Sequence, residues 1–257
     1  MTTRKISKQK MTDSEQHSLV KSIVLHLLPG LLVLLFYILT APIAQKMGFP
    51  SLLAIFVAIG VVLIPFELGY LLHDGKKRNK TLTLKGTVQF RETIPWWQYI
   101  VFGFLLFMWG GFVFGVVAAP LDNVIIKHLF GWVPDWFFLL GRANQLTGYS
   151  KSALVITAIL NLVLNGIAGP VTEELYFRGY LLPRLSRLGG WAPLLNVLLF
   201  SIYHFFTPWE NPIRIMALVP MVYMVWWKRN IYMGMIVHCA GNMVGAIGML
   251  VIALGHT

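Results

Sequence analysis

The chain has 257 residues, 57% of them hydrophobic and 12% charged, with a formal net charge of +11. Soluble proteins carry about 25% charged residues, so this composition excludes an ordinary water-soluble enzyme and points to a chain that crosses a membrane repeatedly. The single cysteine, Cys239, excludes an intramolecular disulfide and any metal site built from several cysteines; in its apolar run it reads as a small buried hydrophobe.

Residues 1–20 are polar and basic. The next apolar run is long enough to span, which suggests a retained signal anchor rather than a cleaved signal peptide. Spanning takes roughly 20 apolar residues, and 22–44, 50–72, 97–119 and 230–253 meet that requirement. Between them, 151–168, 170–186, 191–206 and 212–227 are shorter runs divided by Gly169-Pro170, Gly189-Gly190 and the Pro208–Pro212 turn. The sequence therefore predicts an all-α polytopic membrane protein with about eight transmembrane helices, and shows no alternation that would suggest a β-barrel. The chain divides into three regions: a basic cytoplasmic tail at 1–20, N-terminal transmembrane helices with their connections at 21–149, and a core at 150–254. The connection 73–96 is strongly basic and ends in Pro95-Trp96-Trp97, an aromatic interface anchor. Residues 120–150, with Trp132, Trp136, Phe137 and Phe138, read as a segment lying against the membrane.

The placement of charge argues against a nucleic-acid partner. Basic residues crowd into the tail and into Asp74–Arg91, as juxtamembrane positive charge does, and anionic lipid headgroups are the expected partner. The positive-inside rule then puts the N-terminus and 73–96 in the cytoplasm. Eight crossings would send Arg184, Arg187, Lys228 and Arg229 to the other side. Either one short run does not cross, or the first two loops set the orientation.

Chemistry concentrates in the core. Glu173-Glu174-Leu175-Tyr176-Phe177-Arg178 places two adjacent carboxylates in membrane-like sequence, where charge costs about 2.5–3.5 kcal/mol per residue on insertion scales. If Gly169-Pro170 ends one helix and starts the next, both glutamates fall in or near a first turn, where the helix dipole favours them. Glu174 and Arg178, four apart in acid-first order, can pair along one face. Glu173 is then left free to act as a base. His204 comes four residues after Phe200, and His238 and Asn242 are also four apart. A lone histidine in an apolar helix is more often structural, and His26 is read that way. Two histidines, an asparagine and a glutamate pair together can supply a base, a polarising partner and oxyanion donors for hydrolysis. Other protease chemistries fit less well. Asp13, Asp74, Asp122 and Asp135 fall in the tail or connections, Ser201 lacks a nucleophile loop, and a Cys239–His238 dyad is poorly posed on a helix. A zinc site of Glu173, His204 and His238 stays open as an alternative.

The order Glu173-Glu174-x-x-x-Arg178, Phe200-x-x-x-His204, His238-x-x-x-Asn242 resembles the signature of the CPBP family. These are the CAAX proteases and bacteriocin-processing proteins, also called Abi proteins or type II CAAX prenyl endopeptidases. The resemblance covers roughly residues 150–250. It implies an intramembrane endopeptidase with a membrane-open polar cavity. On that resemblance, Glu173 with His204 would activate water, His238 and Asn242 would stabilise the oxyanion, and Glu174, Arg178 and Phe200 would orient the site. It also implies a glutamate mechanism that requires no cofactor, and asparagine is in any case a poor zinc ligand. A membrane-anchored protein or hydrophobic peptide is the expected substrate. A chain this compact, with a short basic tail, is expected in a bacterial cytoplasmic membrane. The alternative is a non-proteolytic membrane protein that uses the same cluster for bacteriocin immunity, binding or a transporter-like relay.

Overall fold

A computed structural model describes residues 16–139 and 148–255; most of the basic tail, part of the 120–150 segment and His256 lie outside the described residues. Among the described residues the chain is helical, with no strand beyond an isolated bridge between Arg91 and Asn230. In chain order the helices are α1 (Leu19–Lys46), α2 (Leu52–Asn79), α3 (Trp96–Leu129), α4 (Lys151–Leu181), α5 (Trp191–Tyr203), α6 (Asn211–Lys228) and α7 (Ile231–Gly255). Helices α1 to α4 and α7 are each long and apolar enough to cross a membrane, which makes this an integral membrane protein. Helices suit that setting because each backbone donor and acceptor finds its partner within the segment. Ser18 and Ser150 start α1 and α4 by accepting from Lys21 N and Ala153 N, occupying donors that a helix start leaves free.

Gly169-Pro170 does not divide two helices. The expected runs 151–168 and 170–186 form the single helix α4, which widens into π-helical turns at Asn161–Ala168 and Glu174–Leu181. Proline removes a donor and its ring presses on the preceding turn; the wider turn before it relieves that crowding. Gly169 makes the arrangement possible, since a Cβ there would sit 2.8 Å from the Leu164 carbonyl oxygen. Helix α3 does the same at Pro120. A π turn at Val113–Val117 precedes the proline and the helix runs on to Leu129, so the expected interfacial segment is shorter than 120–150. Within it Trp132 stands 79% exposed, whereas Phe138 packs 4.8 Å from Trp209 and Phe137 packs on Tyr37. Helix α2 likewise extends to Asn79, with Lys76, Lys77 and Arg78 in its last turn, where positive charge complements the carbonyl end.

The contacts between connections define two ends of the bundle. At one end Gln16 donates to Ser186 Oγ at 3.0 Å, Gln89 N to Gly179 O at 2.7 Å and Glu92 N to Arg229 O at 2.9 Å. At the other, Leu52 N donates to Leu139 O at 3.0 Å and Tyr37 Oη to Phe137 O at 2.9 Å. Because α4 is one helix, Arg184, Arg187, Lys228 and Arg229 fall at the same end as the basic 73–96 connection. The charge conflict of an eight-crossing arrangement disappears.

Helices α1, α4 and α5 meet in an aromatic core. Phe177 lies 4.8 Å from Phe200 and 5.0 Å from Tyr203, and the Tyr176 hydroxyl donates to Leu25 O at 2.9 Å. Buried His26 ties the same helices together: Nδ1 donates to Ser22 O at 2.7 Å, and Nε2 accepts from Asn196 Nδ2 at 3.0 Å. Gly30 lets α1 touch α5 backbone to backbone, because a Cβ there would overlap the Tyr203 carbonyl oxygen. Gly30→Ala is expected to destabilise the protein by about 1–3 kcal/mol, the usual cost of overpacking, and to move Tyr203. Thermal unfolding of the purified variant checks this, and an unchanged melting temperature would remove the close contact from the account.

Candidate active site

The site is built where α4 passes from its first widened turn to its second, with Glu173 in the regular segment between them and Glu174 and Arg178 inside the second. Widened turns are frequent at functional sites because they re-aim side chains within a continuous helix. Glu173, Glu174 and Arg178 are all buried. They lie far inside α4, so the helix dipole of a first turn does not account for them; their partners do. Arg178 Nη1 lies 3.4 Å from Glu174 Oε1, and its guanidinium carbon sits 3.9 Å from the centre of the Phe200 ring, a cation–π contact. Glu174 Oε1 also faces His238 Nδ1 at 3.1 Å. Glu173 Oε1 accepts from the Tyr203 hydroxyl at 2.8 Å, while its Oε2 lies 3.7 Å from His238 Nε2. His238 thus stands between the two carboxylates, one ring nitrogen toward each.

His204 is not inside a helix. Helix α5 stops at Tyr203, short of the expected 206, and His204 is the residue that caps it. Its Nδ1 donates to Phe200 O at 2.8 Å. In the neutral ring this leaves Nε2 with a lone pair. Phe200 therefore holds Arg178 with its ring and His204 with its carbonyl. On α7, Asn242 Nδ2 donates to Asn165 O at 2.9 Å, and Asn165 Nδ2 donates to Asn161 Oδ1 at 2.9 Å. An amide nitrogen has two hydrogens, so this bond uses one of the two on Asn242.

Glu173, His204, His238 and Asn242 all line one cavity of about 300 Å³, together with Phe200, Tyr203, Asn161 and Asn165. Glu174 and Arg178 lie behind the wall rather than in it. Arg214 closes one side, held by Glu210 at 2.6 Å and Thr207 at 2.8 Å. Cavities that combine an apolar wall with a few convergent polar groups are the usual form of a small-molecule or peptide site. Among the described residues no three His, Cys, Asp or Glu side chains are gathered so as to hold a metal ion. Glu173, His204 and His238 share the cavity without forming a ligand set.

Four residues beside this site were not among the candidate site residues read from the sequence. Asn161 and Asn165, four apart in an apolar helix, carried a readable signal, since paired amides in such a run seek each other or a cavity. Tyr203 carried none beyond its place next to His204. Glu67 is visible in the sequence as an acid in an apolar run. It proves fully buried in α2, in the field of Glu173, Glu174 and Arg178, with neither carboxylate oxygen accepting a hydrogen bond.

No curated protein and no solved structure matches the chain. Residues 155–244, which hold all three motifs, match the family model described as Type II CAAX prenyl endopeptidase Rce1-like, in agreement with the CPBP/CAAX protease family that their order resembles.

Proposed function

We propose that the protein is an intramembrane endopeptidase that hydrolyses a peptide bond of a membrane-anchored protein or hydrophobic peptide. The family suggests CAAX-protease-type intramembrane peptidase activity; the observation that carries the finer reading is the position of Glu173 and His204 on the wall of the same cavity. A water between the Glu173 carboxylate and the free Nε2 of His204 would lose its proton as its oxygen attacks the scissile carbonyl. The carbonyl becomes a tetrahedral oxyanion, which receives hydrogen bonds from the second amide hydrogen of Asn242 and from Nε2–H of a doubly protonated His238, whose Nδ1–H is directed at Glu174. Collapse breaks the C–N bond, and the proton taken from water passes to the leaving amine. Glu174 and Arg178 hold His238, and Phe200 holds Arg178 and His204. Tyr203 fixes the orientation of Glu173 through the hydroxyl bond.

The membrane-embedded polar cavity suits a hydrophobic substrate that enters from the bilayer. The basic connections suit anionic lipid headgroups, and on the positive-inside rule they and the N-terminus face the cytoplasm, in a bacterial cytoplasmic membrane. A panel of quenched-fluorescence peptides, prenylated and unprenylated, incubated with the purified detergent-solubilised protein tests the activity. Asn242→Ala is expected to lower kcat by about 10²–10³-fold, the cost of removing one oxyanion donor, with KM little changed. A rise in KM at unchanged kcat would make Asn242 a substrate-binding residue and remove it from the oxyanion site.

A further inference from the structure

The cavity has a direction. The lining residues that come from connections are Leu139, His204, Phe206 and Thr207, with Glu210 beside them and Leu52 at the start of α2. All belong to the end where 49–52, 130–139 and 204–210 meet. Phe138 packs there on Trp209, and Leu52 N reaches Leu139 O. No lining residue comes from the opposite connections at 80–95, 182–190 or 229–230. That closed end is sealed by Arg184 donating to Thr87 O and Tyr180 O, and by Asn230 donating to Glu92 O and to the Tyr99 hydroxyl.

The closed end is also the basic one. It carries Lys76, Lys77, Arg78, Lys80, Lys85, Arg91, Arg184, Arg187, Lys228 and Arg229, and the tail containing Arg4, Lys5, Lys8 and Lys10 leads into it through Gln16. Toward the other end the helices carry Lys46, Lys127, Lys151 and Arg214, and the sequence adds Arg142 between Leu139 and Gly148. Short basic loops stay in the cytoplasm during insertion. The continuous α4 lets every basic connection obey that rule at once.

We propose that the catalytic cavity opens on the extracytoplasmic side of the membrane, and that its substrates are hydrophobic or membrane-anchored peptides whose scissile bond lies on that side. Such chains have already been inserted or exported when the enzyme meets them. The substrate class rests on the endopeptidase reading; the direction of the cavity does not.

Cysteine accessibility in intact cells tests the direction without requiring turnover. Cys239, the one native cysteine, is replaced by alanine in the full chain, and single cysteines are placed at Trp132, Phe206 and Lys85. Trp132 and Lys85 are exposed at opposite ends, and Phe206 lines the cavity mouth. A membrane-impermeant maleimide is expected to label Trp132→Cys and Phe206→Cys in intact bacterial cells, and to label Lys85→Cys only after permeabilisation. Labelling of Lys85→Cys alone in intact cells overturns the orientation. Labelling of Trp132→Cys but of Phe206→Cys only from the Lys85 side overturns the position of the mouth, and equal labelling of all three in intact cells overturns a fixed orientation. A protein that labels as expected yet cleaves nothing in the peptide assay would defeat the endopeptidase reading and leave the direction of the cavity standing.

Discussion

Glu173→Gln is expected to reduce cleavage by roughly 10²–10⁴-fold, the range that a positioned general base contributes, while the protein still inserts and folds. The substitution keeps the size of the side chain and an oxygen to accept from the Tyr203 hydroxyl at the 2.8 Å position that Glu173 Oε1 occupies. It removes only the ability to take a proton. Because Glu173 sits on the cavity wall with His204, the loss should appear in kcat rather than KM. The measurement is turnover of the peptide panel by wild type and variant purified side by side, with thermal unfolding run on both. Equal turnover by the two proteins would show that Glu173 is not the base or that a contaminant cuts the peptides; a binding protein, in which no proton need move, would tolerate the exchange.

Arg178→Met is expected to cost about 3–5 kcal/mol of stability, the usual penalty for breaking a buried ion pair from one side. Glu174 and Arg178 are both fully shielded, and the positive field of this guanidinium also reaches buried Glu67. Methionine fills much of the same volume over the Phe200 ring but leaves the carboxylates without it. The double variant Glu174→Gln/Arg178→Met should recover part of the loss, since the orphaned charge then disappears. Unfolding measured for the single and double variants decides the matter. An Arg178→Met protein as stable as wild type would mean that the arginine does not hold the carboxylates together.

The same physics made some features legible in the sequence and concealed others. The long apolar runs at the start of α1, α2, α3 and α7 are visible because crossing hydrocarbon imposes length and composition on each helix by itself. Punctuation residues misled. Gly169-Pro170 and Pro120 break helices in water, yet α4 and α3 continue through them because a preceding π turn absorbs the missing donor. Nothing in a one-dimensional pattern announces a π turn. The glutamates, the histidines and Asn242 stood out because polar residues in apolar sequence are costly. Tyr203 did not, because an aromatic residue there is ordinary until its hydroxyl is seen on Glu173. Glu67 was noticeable, but its place beside Glu173 and Glu174 depends on how α2 packs against α4, which no local spacing encodes.

The widened turns on either side of Gly169–Glu173 have a consequence for how this chain can vary. A π turn is an α-helix that accommodates a surplus residue, so the phase of the glutamates along α4 is set by a count of residues on both flanks. Losing the surplus residue from Asn161–Ala168 would return that stretch to regular α-helix with its flanks nearly in phase, but losing one more would rotate the remainder of α4 by about 100°, turning Glu173 away from Tyr203 without altering the hydropathy of the helix at all. Length in this stretch is thus constrained as tightly as identity. The helix can exchange one lipid-facing apolar residue for another freely, but beyond the surplus residue of each π turn it has none to lose.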